Sequence, residues 1–395
     1  MPMYDALIIG AGPAGSTAAR LLAKAGWSVA LVEKSEFPRR KVCGEFISAT
    51  SLPLLYDPHV RESFLSEAGP EVRRVGLFAA DAMLTSAMPA ADASRTGWGR
   101  ALGRDRLDLL LVQGAVAAGA EVFQPWKVVV LQRGPGEFTC TIAAGDTRQD
   151  LCARIVIAAN GSWEKSSWET TRPRNRAASE LLGFKAHFSD SALPSDVMPL
   201  LVFPGGYGGM VHTDGGRVSL SCCVRRDTLD ACRRAHRGLP AGDAVLQHIM
   251  HHCAGVADAL LRARIDGGWL SAGPIRPGIR PRYAGGIFFV GNSAGEAHPV
   301  IAEGISMAMQ SAWLLCQRLM AAEDRTAISA STSEIGRLYA KDWHRAFAGR
   351  IRAAAMFAHL AMWPSAARAL PVVKRFPEIL TWGARLSGKA TQLVP

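Results

Sequence analysis

The chain has 395 residues, 49% of them hydrophobic and 20% charged. That is enough for a substantial buried core and two or three domain-sized units, and the composition is not that of a disordered chain. The formal charge is +11, from 45 Lys and Arg against 34 Asp and Glu, with Arg supplying 36 of the bases. A nucleic-acid binder clusters its bases with aromatics on one surface. Here the bases are scattered until Arg345–Lys389, where eight bases meet one acid, so nucleic acid is not an expected partner. A bilayer span needs roughly 20 apolar residues. The longest charge-free apolar run near the C-terminus, Ala353 to Trp363, has 11. The eight cysteines form no C-x-x-C pair and the apolar start reads as a βα unit, so free thiols in a reducing cytoplasm are expected.

Tyr4–Ile9 reads as a buried parallel strand ending at Gly10. Gly10-Ala11-Gly12-Pro13-Ala14-Gly15 follows, then a helical run to Gly26, then a second strand from Trp27 to Val32 that ends on Glu33 and Lys34. Gly10 permits the tight turn, Gly12 lets a pyrophosphate approach the backbone, and Gly15 lets the helix pack against the strand. The helix N-terminus at Pro13 and Ala14 offers free N–H groups to phosphate. Glu33 sits 18 residues after Gly15, where a carboxylate accepts hydrogen bonds from a ribose. The unit predicts dinucleotide binding.

Further along, Gly103-Arg104-Asp105-Arg106-Leu107-Asp108 opens a helix, and Ile155–Ala158 is a strand that runs into Asn160-Gly161. Gly286–Val290 is a strand leading to Gly291-Asn292-Ser293-Ala294-Gly295, then His298-Pro299, then Glu303-Gly304-Ile305-Ser306 at the head of a helix. Taken in this order, the segments resemble the FAD-binding motifs of flavoproteins with the p-hydroxybenzoate hydroxylase fold. The resemblance implies an α/β protein: a Rossmann-like FAD-binding domain with an inserted antiparallel β-sheet substrate domain and a C-terminal helical region. It implies that Arg104 reaches the FAD phosphates, that the Pro299 loop lies against the isoalloxazine, and that Gly304, Ile305 and Ser306 face the flavin's pyrimidine end. Two departures stand out. Asn292 replaces the acid that binds the ribityl chain, and Asn160 replaces the Asp of an Asp-Gly motif tied to both FAD and NAD(P)H.

Phe37-Pro38-Arg39-Arg40-Lys41-Val42-Cys43-Gly44-Glu45 and Glu303-Gly304-Ile305 resemble the geranylgeranyl reductase branch of that fold, which also holds hydroxylating enzymes. By that resemblance the loop passes near the flavin, with Arg40 reaching phosphate and Cys43 and Gly44 at the active-site wall; a small buried thiol is the plainer reading of Cys43. The runs Leu200–Pro204, Gly205–His212 and Arg217–Val224 alternate as a hairpin or meander, placing Phe203, Tyr207 and Met210 as substrate contacts. The reductases' aromatic-Trp-Phe-Pro string is reduced here to Phe203-Pro204. Flavin halogenases carry W-x-W-x-I-P and a catalytic lysine; Trp163 and Trp168 lack that spacing. His248–Cys253 reads as a solvated helix face and not a metal site.

The expected domains are 1–75, 96–165 and 270–325 for FAD, 76–95 and 166–269 for substrate, and a helical region 326–395, cut by Pro364, Pro371 and Pro377. The expected activity is monooxygenation of an apolar aromatic, polyketide or isoprenoid-like substrate with NAD(P)H and oxygen, with His298 and Glu303 as the nearest proton carriers and Cys43 at the active-site wall. The alternatives are saturation of carbon–carbon double bonds in an isoprenoid or quinone lipid, and a non-catalytic flavin-bearing redox partner. The basic C-terminal helices form either a cap over the FAD domain or a lid that contacts an anionic membrane surface.

Overall fold

The computed structural model describes residues 3–90, 97–162, 177–322, 325, 328–363, 369–391 and 393–394. Trp163 and Trp168 lie outside them. The first sheet has eight strands, with Met3–Ile9 at its centre. That strand pairs in parallel with Val29–Val32 on one side and Thr147–Ala158 on the other. Glu121–Phe123 and Ile287–Phe289 extend the two sides, also in parallel. These strands are covered on both faces, which is why they are continuous apolar runs without alternation. The helix Pro13–Lys24 packs on one face beside the helices Arg104–Ala117 and Gly304–Met320.

The second sheet has seven strands in the order Arg264–Ile275, Leu181–Ser189, Val218–Arg225, Gly206–His212, Val197–Phe203, Arg74–Ala79 and Ala82–Ala87. The expected meander is its middle. One pair departs from an antiparallel layout: Arg74–Ala79 runs parallel to Val197–Phe203, because it enters from the FAD side through the loop after the helix Pro58–Glu67. Helices Arg226–Ala235, Ala241–His252 and Ala254–Leu260 cover its outer face.

The C-terminal region starts as one long helix, Ile328–Ala361, whose Ile335, Tyr339, Trp343, Phe347 and Ile351 are buried in the core of the first sheet. Two short helices follow, Leu370–Arg375 with Pro371 in its first turn and Glu378–Ala384 capped by Pro377. Pro lacks the N–H that a helix interior needs but fits a first turn, where that N–H has no partner. The tail then crosses back to the FAD side through Ser387, Gly388 and Lys389, all buried.

Candidate active site

A cavity of about 780 Å³ runs from the Gly10–Ala14 turn to the second sheet. At its first end Gly10 has φ 100, and a Cβ there would stand 2.7 Å from the Ala159 carbonyl oxygen. A Cβ on Gly15 would come within 1.8 Å of the Gly10 oxygen. Only glycine permits both approaches. Gly12 caps the helix Pro13–Lys24 with no side-chain hydrogen bond and no acid in the first turn, so the helix end keeps donors and a partial positive charge for an anion.

The electrostatics agree. The Arg104 guanidinium passes within 3.8 Å of where a Gly12 Cβ would be. Its fork is held by the fully buried Asp108, with Nε and Nη2 each donating over 2.8 Å. Burial would lower the Arg104 pKa, but Asp108 and then Cys43 raise it, so the charge is secure. Lys41 also lines the cavity; burial, with Arg39 and Arg104 nearby, lowers its ammonium to about 8. Glu33 accepts from the Ala11 N–H at 2.9 Å and from Arg39 at 2.8 Å, at the mouth where a ribose would sit. The Asn160 side-chain nitrogen is buried with no hydrogen-bond partner, a donor awaiting an acceptor. These residues fit FAD: Gly10–Ala14 and Arg104 for the pyrophosphate, Glu33 for the ribose, and Asn160, Gly161, Gly291 and Asn292 for the ribityl chain. Asn292 donates to Ser162 Oγ at 3.0 Å, so the amide is oriented despite the missing carboxylate.

At the second end the cavity is walled by His298, Pro299, Tyr207 and Met210, with Val75, Leu77, Met198 and Leu200 across the sheet. The Tyr207 hydroxyl and His298 Nδ1 are 3.2 Å apart. Burial pushes His298 down to about 4, so its ring is neutral at pH 7 and shares a hydrogen bond with the tyrosine whose direction follows the ring's tautomer. Burial and the neighbouring Cys223 thiol raise the Tyr207 pKa. The C-terminal tail closes this end with Phe357, Ile379, Leu380, Gly383 and Ala384.

Most of the expected residues thus reach one cavity: Gly10, Gly12, Pro13, Ala14, Glu33, Lys34, Cys43, Gly44, Arg104, Asn160, Gly161, Gly291, Asn292, His298, Pro299, Gly304, Ile305, Tyr207 and Met210 all line it. Five do not. Gly15 is the packing contact just described. Arg40 points the opposite way from Arg39 and Lys41, and its Nη2 meets His187 Nδ1 at 2.7 Å and the Asp266 carbonyl at 3.3 Å. Phe203 lies in the core under the helix Ala241–His252, its ring edge-on to His248 at 5.8 Å. Strand alternation explains it: Leu200 faces the cavity, so Leu201 and Phe203 face away. Ser306 and Glu303 sit behind the wall that Gly304 and Ile305 form. Ser306 Oγ accepts from the Ser48 N–H at 3.0 Å. Glu303 accepts from Ser48 Oγ at 3.1 Å and pairs with Lys389 at 3.0 Å. Glu303 is therefore not a proton carrier at the cavity surface.

Sequence reasoning missed a second buried charge cluster. Glu45, in the left-handed region with φ 63, pairs with Lys185, meets His187 Nε2 at 2.7 Å and accepts from the Arg104 N–H at 3.0 Å. Burial would raise its carboxyl, but His187 and Lys185 hold it at about 2. The cluster ties the Lys41–Glu45 loop to the second sheet. The alternation of Lys185 and His187 with Phe184, Ala186 and Phe188 was the available signal: two polar groups on one face of an otherwise apolar strand.

Among known proteins, the chain is 26% identical over 345 residues to Conditioned medium factor receptor 1 of Dictyostelium discoideum, matching 83% of this chain and spanning 65% of that protein's length. It is 26% identical over 340 residues to Digeranylgeranylglycerophospholipid reductase 1 of Methanothermobacter thermautotrophicus, covering 82% of this chain and 79% of the relative. Of solved structures, the myxobacterial chondrochloren halogenase CndH superposes with a TM-score of 0.78 at 18% identity, over 98% of this chain and 91% of the other, which is a likeness of fold alone. The family model for the FAD binding domain matches residues 3–331. The glycine turn, the Arg104 helix and the wall at Gly291–Ile305 all fall within that span, and the chain belongs to the FAD-binding flavoprotein family.

Proposed function

We propose that the protein is an FAD-dependent monooxygenase of a lipophilic phenol or comparable apolar aromatic, with NAD(P)H as electron donor. The observation that carries the reading is the Tyr207–His298 pair, 3.2 Å apart, beside Pro299 and facing the apolar side chains of Val75, Leu77, Met198 and Leu200. His298 is neutral at pH 7, so the pair is placed to hold a substrate hydroxyl by hydrogen bonds without charging the ring. A hydrogen bond that draws on the hydroxyl proton pushes electron density into the ring, which is what attack on an electrophilic oxygen needs. Bound FAD, reduced by NAD(P)H, supplies the oxygen activation. In balance, substrate, O2, NAD(P)H and a proton give hydroxylated substrate, water and NAD(P)+. The chain's own residues bind the flavin phosphates, orient the amides at Asn160 and Asn292, and exclude water with the C-terminal tail.

The second reading is a flavin-dependent reductase of an isoprenoid lipid. The length over which the digeranylgeranylglycerophospholipid reductase aligns favours it. In that case Tyr207 would donate a proton to carbon while a hydride arrives from the flavin. The two readings differ by one measurement. Flavin-loaded protein, NAD(P)H and a panel of alkylphenols and polyprenyl lipids are incubated with and without oxygen, and product mass is read. Oxygen uptake with a product heavier by one oxygen atom supports hydroxylation. A product heavier by two hydrogens, formed without oxygen, overturns it in favour of reduction.

A further inference from the structure

The C-terminal helices leave an apolar surface that the core does not use. Of the 17 exposed large apolar side chains among the described residues, eight fall between Met356 and Leu386. They include every exposed tryptophan and phenylalanine of that set: Trp363 is 56% exposed, Trp382 61% and Phe376 53%. Met356 and Leu360 lie at helical spacing near the end of the long helix and Trp363 two residues past it, and Val372, Phe376, Ile379, Trp382 and Leu386 lie in and beside the two short ones.

Two features identify the occupant. First, the charge: Arg352, Lys374, Arg375 and Arg385 are exposed among these side chains, against the single acid Glu378. Arg375 and Arg385 lie over the rings of Phe376 and Trp382, each 5.4 Å from the centroid, and Lys374 makes a long contact of 3.9 Å with the exposed Asp81. Cations interleaved with tryptophan and phenylalanine match the headgroup zone of an anionic bilayer, where aromatic rings and bases settle together. Second, the location. Phe357, Leu380 and Ala384 line the cavity from within, on the same helices that carry Met356, Leu360 and Trp382 outside. Ile379 does both: it lines the cavity and is 43% exposed, so it marks the rim. Among the described residues no helix is long and apolar enough to cross a membrane.

We propose that the Met356–Leu386 face is a peripheral docking surface for bilayers with anionic headgroups, seating the rim of the cavity at Ile379 against the lipid. Docking rests on the surface alone and holds whether the chamber hydroxylates or reduces.

The test is co-sedimentation of the flavin-loaded full chain with phosphatidylcholine vesicles, with and without about 30 mol% phosphatidylglycerol. The chain is expected to partition to the anionic vesicles and to be released as salt rises. Lys374→Gln with Arg375→Gln is expected to weaken partitioning roughly 30-fold, about fivefold per cation. Phe376→Ser with Trp382→Ser is expected to weaken it by about tenfold or more. All four side chains are exposed, so flavin absorbance should not change in either variant. The salt and lipid comparisons need no variant at all. Failure to sediment with either vesicle overturns the proposal, as does equal partitioning to both or variants that bind as the parent does. A purified acidic acyl carrier protein that binds where vesicles do not would also overturn it and reassign the face to a protein partner.

Discussion

Replacing Lys389 with methionine tests how the C-terminal tail is held to the flavin side of the molecule. Lys389 is 5% exposed and Glu303 is fully buried, with nitrogen and oxygen 3.0 Å apart. The ammonium also donates to Ser387 Oγ at 3.1 Å and to the Ile301 carbonyl. At an effective dielectric of about 20 the attraction across that distance is roughly 5 to 6 kcal/mol, much of it offset by desolvating both groups. Removing the lysine leaves Glu303 with Ser48 Oγ and the more distant Arg350, itself buried and with its pKa lowered by that burial. An uncompensated buried carboxylate costs about 3–5 kcal/mol. Lys389→Met should therefore lower the stability of the flavin-loaded chain by that amount in urea unfolding followed by flavin release. The double variant Lys389→Met, Glu303→Gln should recover most of it, because no charge is left buried alone. A loss below about 1 kcal/mol, the range of exposed pairs, would refute the reasoning and mean the tail is not latched through this contact.

Three further outcomes follow from the same structure. Gly15→Ala puts a methyl 1.8 Å from the Gly10 oxygen; it should destabilise the chain by about 3 kcal/mol or more and abolish flavin retention, read by absorbance after gel filtration. Glu45 has a folded pKa of about 2 against its usual 4.5. Its contribution is thus fully present above 4.5 and is lost as pH falls toward 2; Glu45→Gln should flatten that acid limb of the unfolding midpoint and, by leaving Lys185 buried alone, lower stability near neutrality by about 3–5 kcal/mol. His298 titrates at about 4 instead of 6.5. Its proton is taken up by the unfolded chain first, so this site costs stability as pH falls from 6.5 to 4. The acid limb of turnover should lie near 4 and move or vanish in His298→Asn, and an unchanged limb near 6.5 would remove His298 from the proposed hydroxyl-binding pair.

The chain-local parts of the molecule were legible from sequence. A glycine turn between a strand and a helix, with an acid closing the next strand, is built from neighbours, so Gly10, Gly12 and Glu33 could be placed without a fold. The same holds for Asn160-Gly161, at the end of a recognisable strand, and for His298-Pro299, in the loop that follows the glycine turn after another. The helical pattern from Glu334 to Leu360 was also readable, because its buried face repeats within one element.

What needed the tertiary structure was every contact between distant segments, and the direction of side chains in irregular ones. Lys389 in a basic tail looked like another solvent-facing charge; the fold buries it on Glu303 and so takes Glu303 out of the proton chemistry assigned to it. Arg39, Arg40 and Lys41 are three consecutive bases, and only backbone direction decides that the first and third face the cavity while the second meets His187. Glu45 and Lys185 come from two different layers, and nothing local couples them. Local spacing fixes which groups a turn or a helix end can offer to a cofactor. Which charges end up desolvated, and therefore must be paired, depends on what packs over them, and that is decided when the C-terminal tail and the second sheet close on the FAD-binding domain.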